Sequence, residues 1–225
     1  MKNLEEFLKV KGLILAGGEG KRIGGKKPLR LLFGKPLIYW ALRPYLEENL
    51  EVYISVRDKT QEEEIKEALL REKISLDKIW FLLDEPFCKG KGPLGGLFSG
   101  MKACQELTYL LVSAVDQPFL TREIFKPLLE KAISHTSKAC VYRVDGKIEP
   151  LPGVYSSELS EILKNFILSS SKPSFKSFLD YLHSQNLVVF LDYVTKIKKE
   201  GSPFLNINFL EDLKAAEDVF YTRKI

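Results

Sequence analysis

Residues 13–27 read Leu-Ile-Leu-Ala-Gly-Gly-Glu-Gly-Lys-Arg-Ile-Gly-Gly-Lys-Lys, an apolar run that empties into glycines and cations. A strand ending in such a loop is a place to hold phosphates. Glycine lets the backbone turn tightly and bring its N–H groups up to an anion, and the lysines and arginine supply opposing charge. Two familiar phosphate loops do not fit. A dinucleotide fingerprint needs G-x-G-x-x-G, but after Gly18 and Gly20 the third position falls on Ile23. The stretch about twenty residues on, Leu37 to Tyr39, offers no acidic residue. A P-loop, G-x-x-x-x-G-K-[ST], is met by Gly20, Gly25 and Lys26 but then requires a hydroxyl for magnesium where Lys27 stands. Pro28 follows at once, where a P-loop would already be helical.

Apolar strand-like runs fall at about 12–16, 51–56, 79–83, 108–115, 138–143 and 187–191. Helical patterns fall between them at about 37–48, 60–71, 95–106, 121–134, 156–168 and 174–184, with a last one near 209–220. Strand and helix in alternation predict an α/β fold of Rossmann-like type, a mostly parallel sheet with helices on both faces. In such sheets ligands bind beyond the carboxyl ends of the strands, and Gly17, Asp84 and Asp116 each follow an apolar run. No repeat, long linker or low-complexity tract interrupts the chain, so residues 1–225 are expected to form a single domain. Thr121 and Asn208, the latter with Glu211 three residues on, are expected helix caps. Residues 169–173, Ser-Ser-Ser-Lys-Pro, read as a break between two helices.

Composition sets outer limits. With 45% hydrophobic and 28% charged residues the chain is ordinary for a globular protein, and 225 residues suffice for a sizeable core. A net charge of +4, from 34 basic and 30 acidic residues, is too balanced to argue for nucleic acid as a partner. No apolar run approaches the ~18 residues of a membrane span, and no membrane partner is expected. Lys2, Glu5, Glu6 and Lys9 deny the N-terminus the apolar centre of a secretion signal. Three cysteines, Cys88, Cys104 and Cys140, show no C-x-x-C spacing and fit a reducing, cytoplasmic setting. His135 and His183 fall in or near helical patterns and read as surface or packing residues.

The pattern L-x-G-G-x-x-x-R-[IM]-G-x-x-K, here Leu15 to Lys27, resembles the signature of nucleotidyltransferases that join a nucleoside monophosphate to a phosphorylated acceptor. Leu15-Ala16-Gly17-Gly18 with Arg22-Ile23-Gly24 looks most like the molybdenum cofactor guanylyltransferase family. Further blocks resemble that family in order: Gly34-Lys35-Pro36-Leu37, Asp84, Gly92-Pro93-Leu94-Gly95-Gly96-Leu97 and Asp116-Gln117-Pro118. Glu149-Pro150-Leu151-Pro152-Gly153-Val154-Tyr155 and Asn206-Ile207-Asn208 with Glu211-Asp212-Leu213 complete the set, which spans roughly residues 12–214.

The resemblance implies a nucleotidyltransferase fold and transfer of GMP from GTP to molybdopterin (molybdenum) cofactor, with Mg²⁺ as cofactor and pyrophosphate as by-product. It places Lys27, Arg22 and Asp116 in catalysis and Asp116 on the metal. Lys27 would reach the α-phosphate region and Arg22 the β- and γ-phosphates. Leu15, Ala16, Gly17, Gly18, Lys27, Asp84, Gly92, Gly95 and Asp116 would contact the nucleotide, and Asn206 and Asn208 the acceptor. Backbone groups around Leu15 and residues 92–95 would read the guanine. An acceptor that is already an anionic phosphate needs no deprotonation, so no histidine is required. The family commonly has aspartate where Lys26 stands, and its Thr-Pro after the second asparagine is Phe209-Leu210 here. Molybdoenzymes or their chaperones are candidate protein partners. Other readings stay open: a CTP-using or sugar- or alditol-phosphate nucleotidyltransferase, or a non-catalytic adaptor that binds nucleotide and cofactor.

Overall fold

A computed structural model describes residues 9–18, 20–88, 90–194 and 202–222, and all that follows concerns these residues. The reading of residues 1–9 as lacking a secretion signal falls almost wholly outside them, as does Glu19 of the glycine-rich loop. In chain order the elements are β1 (Lys9–Leu15), a small hairpin of β2 (Leu31–Leu32) and β3 (Lys35–Pro36), α1 (Leu37–Glu47), β4 (Val52–Val56), α2 (Lys59–Arg71) and β5 (Ile79–Leu83). There follow α3 (Pro93–Lys102), β6 (Thr108–Ala114), α4 (Phe125–Ser134), β7 (Ala139–Val144), β8 (Lys147–Ser156), α5 (Ser160–Ser169), α6 (Phe175–Ser184), β9 (Val188–Tyr193) and α7 (Leu210–Thr222).

Seven strands form one sheet in the order β5-β4-β1-β6-β8-β7-β9. β1 pairs in parallel with both β4 and β6, and β4 with β5, while β8 runs antiparallel to both of its neighbours. The expected mostly parallel sheet is therefore present. β8 was not expected, and it closes on β7 through Asp145-Gly146, both with positive φ (46° and 82°), the geometry of a type I′ hairpin.

Alternation along β1 shows why both faces are covered. Leu13 and Leu15 join one core with α3, α5 and α6 (Leu97, Leu163 and Phe178), while Ile14 joins another with α1, α2 and α4 (Ile38, Ile65 and Leu128). On α3, an added Cβ at Gly96 would stand 2.4 Å from Ser55 Oγ, and one at Gly100 would stand 2.5 Å from a methyl of Leu13. The two glycines let this helix lie directly on β1 and β4. A third, smaller core joins Ile23 of the glycine-rich loop and Leu32 to Ile207, Leu213 and Ala216, so α7 fastens the loop from outside.

Local signals explain the ends. The Asp58 side chain accepts the Gln61 amide to start α2, Pro93 occupies the first turn of α3, and Ser174 with Ser177 forms a capping box on α6. Two expected caps differ. Thr121 makes no side-chain cap bond, and at α7 the amides of Asn208 and Phe209 donate to Asp212 Oδ2 rather than Asn208 capping with Glu211. Asn208 turns its side chain elsewhere. Among the described residues no helix is long and apolar enough to cross a membrane.

Candidate active site

A cavity of about 860 Å³ opens beyond the carboxyl ends of β5, β4, β1 and β6. It is reached by β1's exit, Leu15-Ala16-Gly17-Gly18, and the first step of the loop is tied down at once, since the Ala16 amide donates to the Ser55 carbonyl. Gly20 (φ 62°) and Gly24 (φ 76°) flank a single 3-10 turn, Lys21–Ile23. Ile23 is fully buried and pins the loop to the third core. The Arg30 guanidinium donates to the carbonyls of Gly24 and Gly25 at 2.5 and 3.1 Å, which ties down the far end of the loop. At Gly18 an added Cβ would meet nothing within 4 Å. Beyond its two chain neighbours, that space holds no atom of the described residues, which leaves room for a ligand.

The two adjacent lysines part company here. Lys26 takes a left-handed conformation (φ 47°) and sends its ammonium to Glu64 on α2, 2.6 Å away and exposed. Lys27 turns inward, where its Nζ donates to Asp116 Oδ2 at 2.5 Å and to Asn208 Oδ1 at 3.0 Å. Lys27 and Asp116 are about 15% exposed, with side-chain values of 14% and 17%. The Asp116 backbone carbonyl accepts the Ile207 amide, so the closing Asn-Ile-Asn element is stitched to the strand that carries the carboxylate. One oxygen remains without a partner: Asp116 Oδ1 is buried and makes no hydrogen bond. An orphaned carboxylate oxygen on a residue that lines the cavity is chemically suited to a hard cation. Among the described residues no three His, Cys, Asp or Glu side chains cluster as a metal cage. Asp116, which lines the cavity with one unpartnered oxygen, is the carboxylate that could hold a divalent cation there.

Of the expected site residues, Leu15, Ala16, Gly17, Gly18, Lys27, Asp84, Gly92, Asp116 and Asn206 line the cavity. Gly95 does not line it but supports it, because an added Cβ would stand 2.7 Å from Asp84 Oδ2. Asn208 reaches it through Lys27. Arg22 is exposed on its 3-10 turn and lies outside the lining. Burial pushes the Asp84 carboxyl up from its ordinary value, partly offset by the Ser55 hydroxyl that donates to it at 3.4 Å. Cys88, fully buried behind Asp84, has its thiol pushed up to about 11 by burial and the neighbouring carboxylates. His135 ends α4 and His183 sits against Phe190 on β9, both away from the cavity.

Arg57, Ser55 and Phe175 line the cavity without having been singled out, and Gln117 and Glu149, quoted within blocks that carry the resemblance, line it without having been given a role. Gln61 and Gln117 act as braces. The Gln61 side chain donates to the Ala16 carbonyl and accepts the Arg57 amide, joining the ends of β1 and β4. Gln117, 2% exposed, accepts the Ala114 amide and donates to the Leu151 carbonyl, joining the ends of β6 and β8.

Comparison with known proteins gives the chain its relatives. The model of the MobA-like NTP transferase domain matches residues 12–185. The probable molybdenum cofactor guanylyltransferase of Methanocaldococcus jannaschii is 30% identical over 208 residues, covering 91% of this chain and 96% of its own. That of Methanosarcina mazei is 34% identical over 208 residues, covering 90% and 87%. The solved structure of molybdopterin-guanine dinucleotide biosynthesis protein A from Archaeoglobus fulgidus is similar with a TM-score of 0.69 at 27% identity, over 94% of this chain and 99% of that one. A 4-diphosphocytidyl-2C-methyl-D-erythritol synthase from Anaerococcus prevotii, 16% identical with a TM-score of 0.70 over 95% and 96% of the two chains, shares the fold.

Proposed function

The chain belongs to the MobA-like NTP transferase family, and from that premise we propose that it transfers GMP from GTP to molybdopterin (molybdenum) cofactor, releasing pyrophosphate. The observation that carries this reading is the constellation at the end of the glycine-rich loop. Lys27, Asp116 and Asn208 meet there through hydrogen bonds, beside an unpartnered carboxylate oxygen and an empty backbone cradle.

In the proposed reaction an oxygen of the acceptor's phosphate attacks the α-phosphorus of GTP. A new P–O bond forms, the bond from the α-phosphorus to the bridging oxygen breaks, and its electron pair leaves with pyrophosphate. The attacking phosphate oxygen is already anionic, so the chain need supply no base. Its task is positioning and charge neutralisation. Backbone amides of Gly17, Gly18 and Gly20 approach the phosphates with no side chain between. Lys27 brings its ammonium to the α-phosphate, and Arg22 offers its charge at the loop's outer edge for the β- and γ-phosphates. Asp84, held by Ser55 and seated on Gly95, faces the nucleoside together with Leu15, Ala16 and Gly92. Asn206 and Asn208 lie toward the acceptor. Mg²⁺, held by Asp116, would neutralise charge on the phosphate oxygens. The whole of residues 1–225 is proposed to act as one nucleotidyltransferase domain in the cytoplasm, with molybdoenzymes or their chaperones as candidate recipients of the product.

Pyrophosphate release tests the reading. It should require GTP, Mg²⁺ and acceptor together. Binding of GTP and acceptor with no pyrophosphate released would mark the protein as an adaptor.

A further inference from the structure

One side of the cavity is built more elaborately than the nucleotide reading needs. On β7, Val141 pairs with Gly153 of β8 and the next residue, Tyr142, pairs with Glu149. Residues 150–152 therefore have no partners on β7 and form a three-residue bulge, the kind of ladder break that re-aims side chains beside a site. The bulge is held at two points: the Tyr155 hydroxyl donates to the Pro150 carbonyl at 2.8 Å, and Gln117 Nε2 donates to the Leu151 carbonyl at 2.9 Å. Tyr155 is fully buried and Gln117 nearly so, which makes both braces rigid. Glu149, at the foot of this bulge, lines the cavity with Leu151 and with Phe175 from the start of α6. The Phe175 ring rests on Tyr155, 6.0 Å between centroids. Burial raises the Glu149 carboxyl above its ordinary value, with only Lys147 opposing and no hydrogen bond contributing.

A half-buried carboxylate without a hydrogen-bond donor, set among an aliphatic and an aromatic side chain, suits a flat heterocycle that presents adjacent N–H groups. We infer that Glu149 reads the acceptor's ring, accepting from the ring N–H and exocyclic amino group of a 2-amino-4-oxopyrimidine edge, with Leu151 and Phe175 against the ring. This deepens the proposed function and rests on it, since a pterin carries that edge.

Guanine carries the same edge, and the sheet order assigns the two. Asp84 follows β5, three strand positions from β6 and its Asp116, while Glu149 lies on β8, one position to the other side. At a strand spacing of about 4.8 Å, four steps separate Asp84 from Glu149 by about 19 Å. The two carboxylates thus flank Lys27 and Asp116, one toward each end of an extended dinucleotide.

The test uses the intact protein, wild type and Glu149→Gln, titrated by fluorescence with 6-hydroxymethylpterin and with 6-hydroxymethyllumazine, which has oxygen in place of the 2-amino group. In parallel, GTP is compared with ITP, which lacks the same amino group. Wild type should prefer pterin over lumazine by at least ~10-fold, the cost of losing a charge-assisted hydrogen bond. Glu149→Gln should abolish that preference and leave the GTP-over-ITP ratio unchanged. Equal affinity of wild type for the two rings, including no measurable binding of either, would overturn the inference. So would an unaltered preference in Glu149→Gln, or a change confined to the GTP-over-ITP ratio. Because ring binding is read without turnover, failure here is distinct from a failure of GMP transfer.

Discussion

Gly18→Ala separates ligand space from protein packing at one position. Apart from Gly18 and its two chain neighbours, no atom of the described residues lies within 4 Å of where the new Cβ would stand, and Gly18 is not among the glycines with positive φ, so alanine is expected to be accepted without strain. Exposed substitutions of this kind change stability by about 0.5 kcal/mol or less. At about 2–4 °C per kcal/mol for a chain of this length, Tm should move by no more than ~2 °C. Binding is another matter. If phosphate oxygens approach the Gly18 backbone, the methyl group stands in their path and costs one charge-assisted hydrogen bond, about 1.5–3 kcal/mol. That corresponds to roughly 10- to 150-fold weaker GTP binding, measured by calorimetry with Mg²⁺ present. Gly96→Ala is the counterpart. Its Cβ would sit 2.4 Å from Ser55 Oγ and 2.9 Å from a Leu15 methyl, and overpacking of about 1–3 kcal/mol should lower Tm by about 2–12 °C. A Gly18→Ala protein of unchanged Tm that binds GTP as wild type does would refute the cradle.

Asp116→Ala should lower turnover at least ~100-fold, as removal of a group that organises transition-state charge does; a near-normal rate in a pyrophosphate assay would remove Asp116 from that role. Lys27→Ala should impair turnover far more than Lys26→Ala, because Lys26 is spent on an exposed pair with Glu64 worth at most ~1 kcal/mol; the reverse ranking would show that the outward lysine is the catalytic one. Asp84→Asn should raise Tm at pH 7. The folded carboxyl keeps its proton to higher pH than the unfolded one, so stability is lost as pH rises from 3.8 through the raised folded value, and it stays lost above. The difference between variant and wild type should close at pH below 3.8, and a gap independent of pH in thermal denaturation would contradict this.

The sequence was most legible where chemistry is local. Glycines after an apolar run place the loop, and the carboxylates that end apolar runs place Asp84 and Asp116 at one rim of the sheet. β8 was hidden because Pro150 and Pro152 argue against a strand; both sit in the bulge, where no β7 partner demands their amides. The signal that could have found it was Asp145-Gly146, a two-residue hairpin turn between apolar runs. Arg57 and Gln61 escaped notice, and Gln117 was quoted without a role, because their roles arise only when strand ends come together. No spacing within the chain foretells that Gln61 meets the Ala16 carbonyl or that Gln117 meets the Leu151 carbonyl. The loop pattern's spacing already favoured Lys27 over Lys26, and what the structure adds is the left-handed Lys26 that parts the two side chains, one to Glu64 and the other to Asp116.

GMP transfer to molybdopterin cofactor is tested by a single competition. The protein is incubated with equal GTP and CTP, Mg²⁺ and acceptor, and the product is identified by mass. The guanine dinucleotide should form, with one pyrophosphate released per product. A cytosine dinucleotide in its place, or no dinucleotide at all, would contradict it.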